Sequence, residues 1–334
     1  MNKQQSHRLR LVFLIFLALL LLCLIMILLL IRDTRKVDLA MPYEEQNIGY
    51  GQAAQTVIYT DAAFSNTLCV GENDIGSSEI ALPSGEHAAL FAIEDREVLY
   101  AKGMYEKIYP ASVTKIMTAV VAFKYGNMND MVTINWRDLE LETGSQVCGF
   151  RIGDRVSMQE LMHGLLVHSG NDAAMAVARH VGGSAKSFVE MMNAEAQAIG
   201  ATGTHFTTPT GLHDPDHYTT VYDIYLMLNE AIRYTEFVDI MQVAVYDLKC
   251  ESKDGVEKHI TLDSTDHYLT GEARPPKDVS VLGGKTGTTS AAGNCLALVA
   301  QNAFGQPYIA IVVGASDKER LYVDMNQLLA QINT

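Results

Sequence analysis

Three kinds of hydrophobic pattern follow one another along this chain. The first is unbroken. Leu11 to Ile31 is a run of 21 apolar residues without a charge, long enough to cross a bilayer as a helix. Arg32, Asp33, Arg35 and Lys36 follow at once, where a cleavable signal would place small residues. The run therefore predicts an uncleaved anchor, a span over 11–31. Residues 37–87 show little periodicity and read as a tether, with short strands expected at Val57 to Tyr59 and Thr67 to Val70. The second pattern is one of short apolar runs: Ala88 to Ile93 and Glu97 to Ala101 predict two strands joined by a polar turn.

After Pro110 the period becomes helical. Helices are predicted from Ser112 to Tyr125, from Ser157 through Val167, over Ala173 to Val181, Ser184 to Ile199, Thr219 or Thr220 to Tyr234, and Glu236 to Ala244. Ser157 with Glu160 has the spacing of a capping box, and Asp172 stands where it would cap the helix that follows. Residues 138–156 and 201–218 read as loops. Strand-like apolar runs then return in Val279 to Leu282, Cys295 to Ala300 and Tyr308 to Val313, and a last helix is expected over Lys318 to Ile332. Strands at both ends and helices between them predict an α/β (α+β) domain: one sheet built from the chain's two ends, with an all-helical lobe inserted.

Charge refines this division. Residues 1–36 carry six Lys/Arg and one Asp, so most of the acidity behind the net charge of −14 lies beyond them. An acidic domain argues against nucleic acid as a partner. Lys3, Arg8 and Arg10 nearly balance Arg32, Arg35 and Lys36 across the span, and the lack of acidic residues before it places the N-terminus inside. The expectation is a cytoplasmic tail and transmembrane anchor over 1–36, an extracellular tether over 37–87 and a folded domain over 88–334. Of the cysteines, Cys23 lies in the span. Cys69, Cys148, Cys250 and Cys295 show no C-x-x-C spacing, so no zinc site is expected, and disulfides and buried thiols both stay open.

The chemistry begins at Ser112-Val113-Thr114-Lys115. On a helix, residues i and i+3 share a face, so the Lys115 amine reaches the Ser112 hydroxyl. A serine nucleophile needs a base, and a lysine serves as one only when burial or a neighbouring cation lowers its pKa. The motif thus asks for a buried site, a second cation and oxyanion donors. Ser169-Gly170-Asn171 offers a hydroxyl and an amide at a helix junction. Lys285-Thr286-Gly287-Thr288 offers an ammonium, hydroxyls and a glycine on a strand, which suits an anion-binding edge. Taken singly, each has a plainer reading as a helix start, a cap or a glycine-rich bulge. The last lacks the G-x-x-x-x-G-K-[ST] spacing of a phosphate loop.

Together and in order, S-x-x-K, S-x-N and K-T-G form the signature set of the penicillin-binding proteins and serine β-lactamases. Tyr109 to Thr118, His168 to Ala174, and Phe206 to Leu212 followed by His217 to Thr220 and Asp223 resemble the D-alanyl-D-alanine carboxypeptidases among them, over about residues 88–330. The resemblance implies the β-lactamase/penicillin-binding-protein-like fold, an antiparallel sheet flanked by helices. It implies Ser112 as nucleophile, Lys115 as general base, Ser169 as proton relay and Asn171 on the substrate amide. Lys285 and Thr286 would meet the terminal carboxylate, with Gly287 between them and Thr288. The N–H groups of Ser112 and Thr288 would form the oxyanion hole, and Arg320 is a further candidate for the carboxylate. The implied substrates are peptidoglycan stem peptides ending in D-Ala-D-Ala, and β-lactams would be covalent inhibitors. No cofactor or metal is implied. Family members often add a β-rich domain and a C-terminal amphipathic anchor; here the N-terminal span would replace that anchor. An endopeptidase or transpeptidase shares the acylation chemistry. A β-lactamase fits less well, because no glutamate occurs between Glu195 and Glu230. A non-catalytic sensor would have no need of the nucleophile.

Overall fold

The computed structural model describes residues 68–76 and 80–333. The expected span over 11–31 and the expected strand at Val57 to Tyr59 lie outside the described residues. Among those described, no helix is long and apolar enough to cross a membrane.

Strands β1 (His87–Ala92) and β2 (Glu97–Lys102) form a hairpin at the start of the domain. Strands β7 (Ser280–Thr289), β8 (Gly293–Gln301) and β9 (Pro307–Ala315) come from its end. They join in one antiparallel five-stranded sheet in the order β2-β1-β9-β8-β7. This is the sheet from two chain ends that the pattern predicts. Its central strands are apolar at nearly every position because both faces are covered. Ala89, Phe91, Ala297, Val299, Ile309 and Ile311 face the large helical core, while Leu90, Leu296, Leu298, Ala310 and Val312 face the C-terminal helix.

Between the two halves of the sheet lie α1 (Lys115–Tyr125), α2 (Met158–Leu166), α3 (Asn171–Gly182), α4 (Ala185–Ala198), α5 (Val221–Ala231) and α6 (Thr235–Met241). A short α7 (His267–Thr270) precedes β7, and α8 (Lys318–Leu329) closes the domain. Helix α1 is buried on all sides from Lys115 to Ala122, so it is the axis of the core.

The inserted lobe is helical apart from one feature. Strands β3 (Met131–Thr133), β4 (Arg155–Ser157), β5 (Val245–Glu251) and β6 (Glu257–Asp263) build a second antiparallel sheet in that order. The lobe is therefore not all-helical. Its β5–β6 hairpin carries charges on its exposed positions and fully buries only Leu248, Cys250 and Leu262, which dilutes the alternation.

Local capping also differs from expectation. Ser157 caps α2 by accepting from Glu160 N–H, but the Glu160 carboxylate does not complete a capping box. It accepts instead from Tyr246 O–H and Lys249 N–H, tying α2 to the small sheet. The described part of the stretch before β1 packs on the domain. Cys69 is fully buried, its N–H donates to Tyr225 Oη at 2.9 Å, and Ile75 bridges to Ala101. Cys69, Cys148, Cys250 and Cys295 are buried free thiols.

Candidate active site

Ser112 sits on a 3-10 turn, Ala111–Thr114, that runs directly into α1. The tighter turn eclipses residues i and i+3, and Lys115 Nζ lies 3.0 Å from Ser112 Oγ. Ala111 enters the turn at φ 47°, a left-handed conformation that costs a non-glycine residue of order 1 kcal/mol.

The segment 207–217 holds it there. Gly211, at φ 82°, approaches so closely that a Cβ would lie 1.9 Å from the Ala111 carbonyl oxygen. Only glycine fits that contact. The Thr114 hydroxyl donates to Ala111 O at 2.8 Å, and His217 Nε2 lies 2.8 Å from the same hydroxyl. Thr207 N–H donates to His217 Nδ1 at 3.1 Å, so the ring proton belongs on Nε2 and is donated to Thr114. Burial keeps this imidazole neutral, pushing its pKa down to about 4. His217 braces the serine turn and has no free lone pair with which to act as a base.

Lys115 is completely buried, and besides Ser112 its Nζ meets Asn171 Oδ1 at 2.7 Å and Thr210 O at 2.8 Å. Both of the latter can only accept. A neutral amine has two N–H groups and one lone pair, so the two carbonyls take the N–H groups and leave the lone pair for the Ser112 hydroxyl. Burial, and then the charge of Lys285, hold the Lys115 pKa well below the ordinary lysine value. A hydroxyl facing a buried neutral amine is the arrangement an activated serine requires.

Ser169, at φ 61°, turns the chain into α3, with Gly170 in extended conformation at the N-cap position. The helix begins at Asn171, two residues before the expected start. Asp172 therefore lies inside the first turn and does not cap it from outside. Its carboxylate reaches across to accept from Cys148 N–H at 2.9 Å and Gly149 N–H at 3.0 Å, fixing the loop beside the site.

The opposite side of the site is β7, an edge strand. A Cβ on Gly287 would lie 2.8 Å from Ser112 N and 3.0 Å from Val113 N, so strand and serine turn meet backbone to backbone. Lys285 is buried, its Nζ donating to Thr286 O at 2.8 Å. Burial pulls its pKa to about 7, against the opposing pull of the Asp266 carboxylate. Thr286 Oγ1 lies 2.5 Å from Thr265 Oγ1, and Thr288 Oγ1 donates to Asn294 Oδ1 at 3.0 Å.

Ser112, Ser169, Asn171, Thr286, Gly287 and Thr288 line one cleft of about 330 Å³, and the two lysines lie behind its surface. All eight residues expected from the sequence are thus gathered on its two sides. Arg320 is not among the lining residues. Its guanidinium is engaged by Asp324, with Nε–Oδ2 at 2.7 Å, and by Ala81 O at 3.1 Å. Thr265 and the cleft-lining Tyr322 carried no sequence signal, and Thr210, inside the segment Phe206 to Leu212, contributes a carbonyl to which the motif assigns no role. The described residues contain no cluster of three or more His, Cys, Asp or Glu suited to a metal.

Residues 79–317 match the family model described as D-alanyl-D-alanine carboxypeptidase. The chain belongs to this family. Among relatives of this carboxypeptidase-family chain, D-alanyl-D-alanine carboxypeptidase DacF of Bacillus subtilis is 29% identical over 76% of it, and DacA of Haemophilus influenzae 33% identical over 70%. The aligned part spans 63% and 57% of those relatives' own lengths. The fold is similar to that of a Mycobacterium tuberculosis D-alanyl-D-alanine carboxypeptidase, with TM-score 0.68 and 27% identity over 78% of this chain and 95% of that one. A Streptomyces DD-transpeptidase is likewise similar, with TM-score 0.67 and 25% identity over 75% of this chain and 98% of that one. The penicillin-binding-protein-like fold expected from the motifs is the fold of this chain.

Proposed function

We propose that this chain is a serine-type D-Ala-D-Ala carboxypeptidase acting on peptidoglycan stem peptides. The observation that carries the reading is the Lys115 amine, buried and with two carbonyl acceptors, 3.0 Å from Ser112 Oγ. Ser112 attacks the carbonyl between the two D-alanines as its proton passes to Lys115. Ser112 N–H and Thr288 N–H receive the developing oxyanion; one such donor is worth about 3 kcal/mol of transition-state stabilisation. Ser169 relays a proton to the departing D-alanine, and Asn171 holds the substrate amide. Lys285 and Thr286 take the terminal carboxylate, and water then releases the shortened stem. The span over 11–31 anchors the chain in the cell membrane with the domain on the wall side.

Among the described residues, no carboxylate lines the cleft. A β-lactam acyl group on Ser112 therefore has no carboxylate at hand to serve as general base for the water, which favours stable inhibition over β-lactamase turnover. Transpeptidation is the second reading, favoured by the likeness to the Streptomyces DD-transpeptidase. The test is mass spectrometry of the purified full chain with stem peptides. Release of free D-alanine, together with penicillin labelling that is lost in Ser112→Ala, is expected. Cross-linked products without free D-alanine would move the assignment to transpeptidase. Rapid penicillin hydrolysis without D-alanine release would move it to β-lactamase.

A further inference from the structure

A second cavity, of about 460 Å³, adjoins the active cleft and is used by none of the steps above. The two are neighbours along both walls. On the strand side, Thr288 and Thr289 line the cleft, and Ser290 and Ala291, next in the chain, line the cavity. On the helical side, Ser112 lines the cleft and Tyr109, just before the serine turn, lines the cavity. Tyr109 is held edge-on against His213, with ring centroids 4.8 Å apart. His87 at the start of β1 and Ser316 just after β9 are among the residues of the remaining wall. The charge of this cavity is unlike that of the chain. The chain carries −14, yet among the described residues no Asp or Glu lines the cavity, whereas Lys107 does. Lys107 Nζ stands 3.5 Å from the centroid of the Tyr218 ring and pairs with no carboxylate among the described residues. His87, the other basic lining residue, has Glu106 Oε2 3.8 Å from its Nδ1. A cavity whose uncommitted charge is an ammonium favours an anion, in a chain whose net charge would otherwise repel one.

We propose that this cavity is a subsite for the upstream part of the donor peptide, and that Lys107 selects a carboxylate there. The inference rests on the carboxypeptidase reading, which sets the direction of the bound peptide. Its terminal carboxylate meets Thr286 and its scissile carbonyl meets Thr288 N–H. The peptide therefore runs antiparallel to β7 as an added strand, and its upstream residues pass Thr289 and Ser290. Both strands advance about 3.3 Å per residue. The residue two positions before the penultimate D-alanine thus comes level with Ser290, where the cavity begins. Ser290 and Ala291 are small and exposed, and they leave room for its side chain. Lys107 would meet the bound peptide far from the reacting atoms, so it governs which donors are preferred and leaves the chemical step alone.

The test is D-alanine release by the full chain from acetylated peptides ending in D-Ala-D-Ala. A long pair is identical except for glutamate or glutamine two positions before the penultimate D-alanine, and a short peptide stops before that position. Wild type is expected to favour the glutamate peptide by about 3-fold in kcat/KM, the scale of an exposed ion pair, and to lose the preference as salt is raised. Lys107→Gln is expected to abolish the preference and Lys107→Arg to keep it, both with the short peptide turned over at the wild-type rate. Ala291→Trp, which fills the cavity, is expected to remove any advantage of the long peptides over the short one. A wild type that does not distinguish glutamate from glutamine, or a Lys107→Gln chain slowed equally on every peptide, overturns the inference. Absence of D-alanine release from every peptide, the short one included, instead overturns the carboxypeptidase reading, and the inference falls with it.

Discussion

The two sides of the cleft each bury a lysine, and they treat it in opposite ways. On the helical side, Lys115 is met by an amide oxygen, a backbone carbonyl and a hydroxyl, with Lys285 as the nearby charge that acts most on it. The acceptors alone would hold an ammonium as well as an amine; burial and the Lys285 charge are what favour the neutral form. On the strand side, Lys285 is as deeply buried, yet a buried carboxylate partly offsets the desolvation. Two chemically identical side chains are both depressed by burial, and only Lys115 is depressed further by a neighbouring cation. The lesson is that the charge of the second lysine helps define the first. The charge of Lys285 disfavours a proton on Lys115.

Removing either lysine tests this division and carries the largest expected effect. Lys115→Ala deletes the proposed base and is expected to lower the acylation rate by about 10³-fold or more, since general-base contributions run from 10² to 10⁴. Lys285→Ala is expected to weaken substrate binding as well as acylation, because it removes the proposed partner of the substrate carboxylate. The wild-type pH profile sharpens the contrast. The value of kcat/KM reports the free enzyme and is expected to fall as pH rises through the Lys285 pKa of about 7. The bound substrate carboxylate favours the charged form, so the alkaline limb of kcat lies at higher pH. Steady-state kinetics across pH check both; coincident limbs would break the assignment of Lys285 to the carboxylate.

The two sides also differed in how legible they were. The helical side is local in sequence: Ser112 and Lys115 are three residues apart, and any turn of helical pitch brings them together. The K-T-G segment was readable because it lies on a strand whose glycines have visible spacing. What completes each side was hidden for different reasons. Thr210 contributes a backbone carbonyl, which no side-chain pattern announces. Asp266 falls between a polar hairpin and a short helix, in a stretch without clear periodicity, and acquires meaning only when α7 packs against β7. The five-stranded sheet was legible because its runs are apolar on both faces. The small sheet was not, because β5 and β6 expose charged residues along one face. Arg320 was misread for a related reason. Its position after the last strand suits a carboxylate contact, but Asp324 one helical turn away claims the guanidinium.

His217 supplies the next effect in size, and it belongs to the helical side alone. Its folded-state pKa is about 4, against about 6.5 for an unperturbed histidine. The depressed group binds its proton more readily in the unfolded chain. Its contribution is therefore complete above about pH 6.5 and is lost as pH falls towards 4, a total on the order of 3 kcal/mol. Urea unfolding of wild type at pH 7.5 and 4.5 is expected to show that loss. His217→Gln is expected to be less stable at pH 7.5 but flatter between the two pH values. An equally steep variant would assign the acid sensitivity to other groups.

Thr114 gives the smallest effect and isolates the brace from the chemistry. Its hydroxyl is the single link between His217 Nε2–H and the Ala111 carbonyl. Thr114→Val keeps the shape and removes the link, leaving a buried donor and a buried acceptor without this partner, which costs about 1–3 kcal/mol. Thr114→Ser keeps the hydroxyl and is expected to lose less, as the cost of one buried methyl. If the brace also sets the serine, penicillin acylation of Thr114→Val slows together with the loss in stability, because the strained Ala111 turn relaxes and carries Ser112 away from Lys115. The strand side has no part in this linkage, so the alkaline limb set by Lys285 is expected to stay where it is. A Thr114→Val chain that loses stability but acylates at the wild-type rate would show that Gly211 and the packing of α1 hold the serine turn without the hydroxyl.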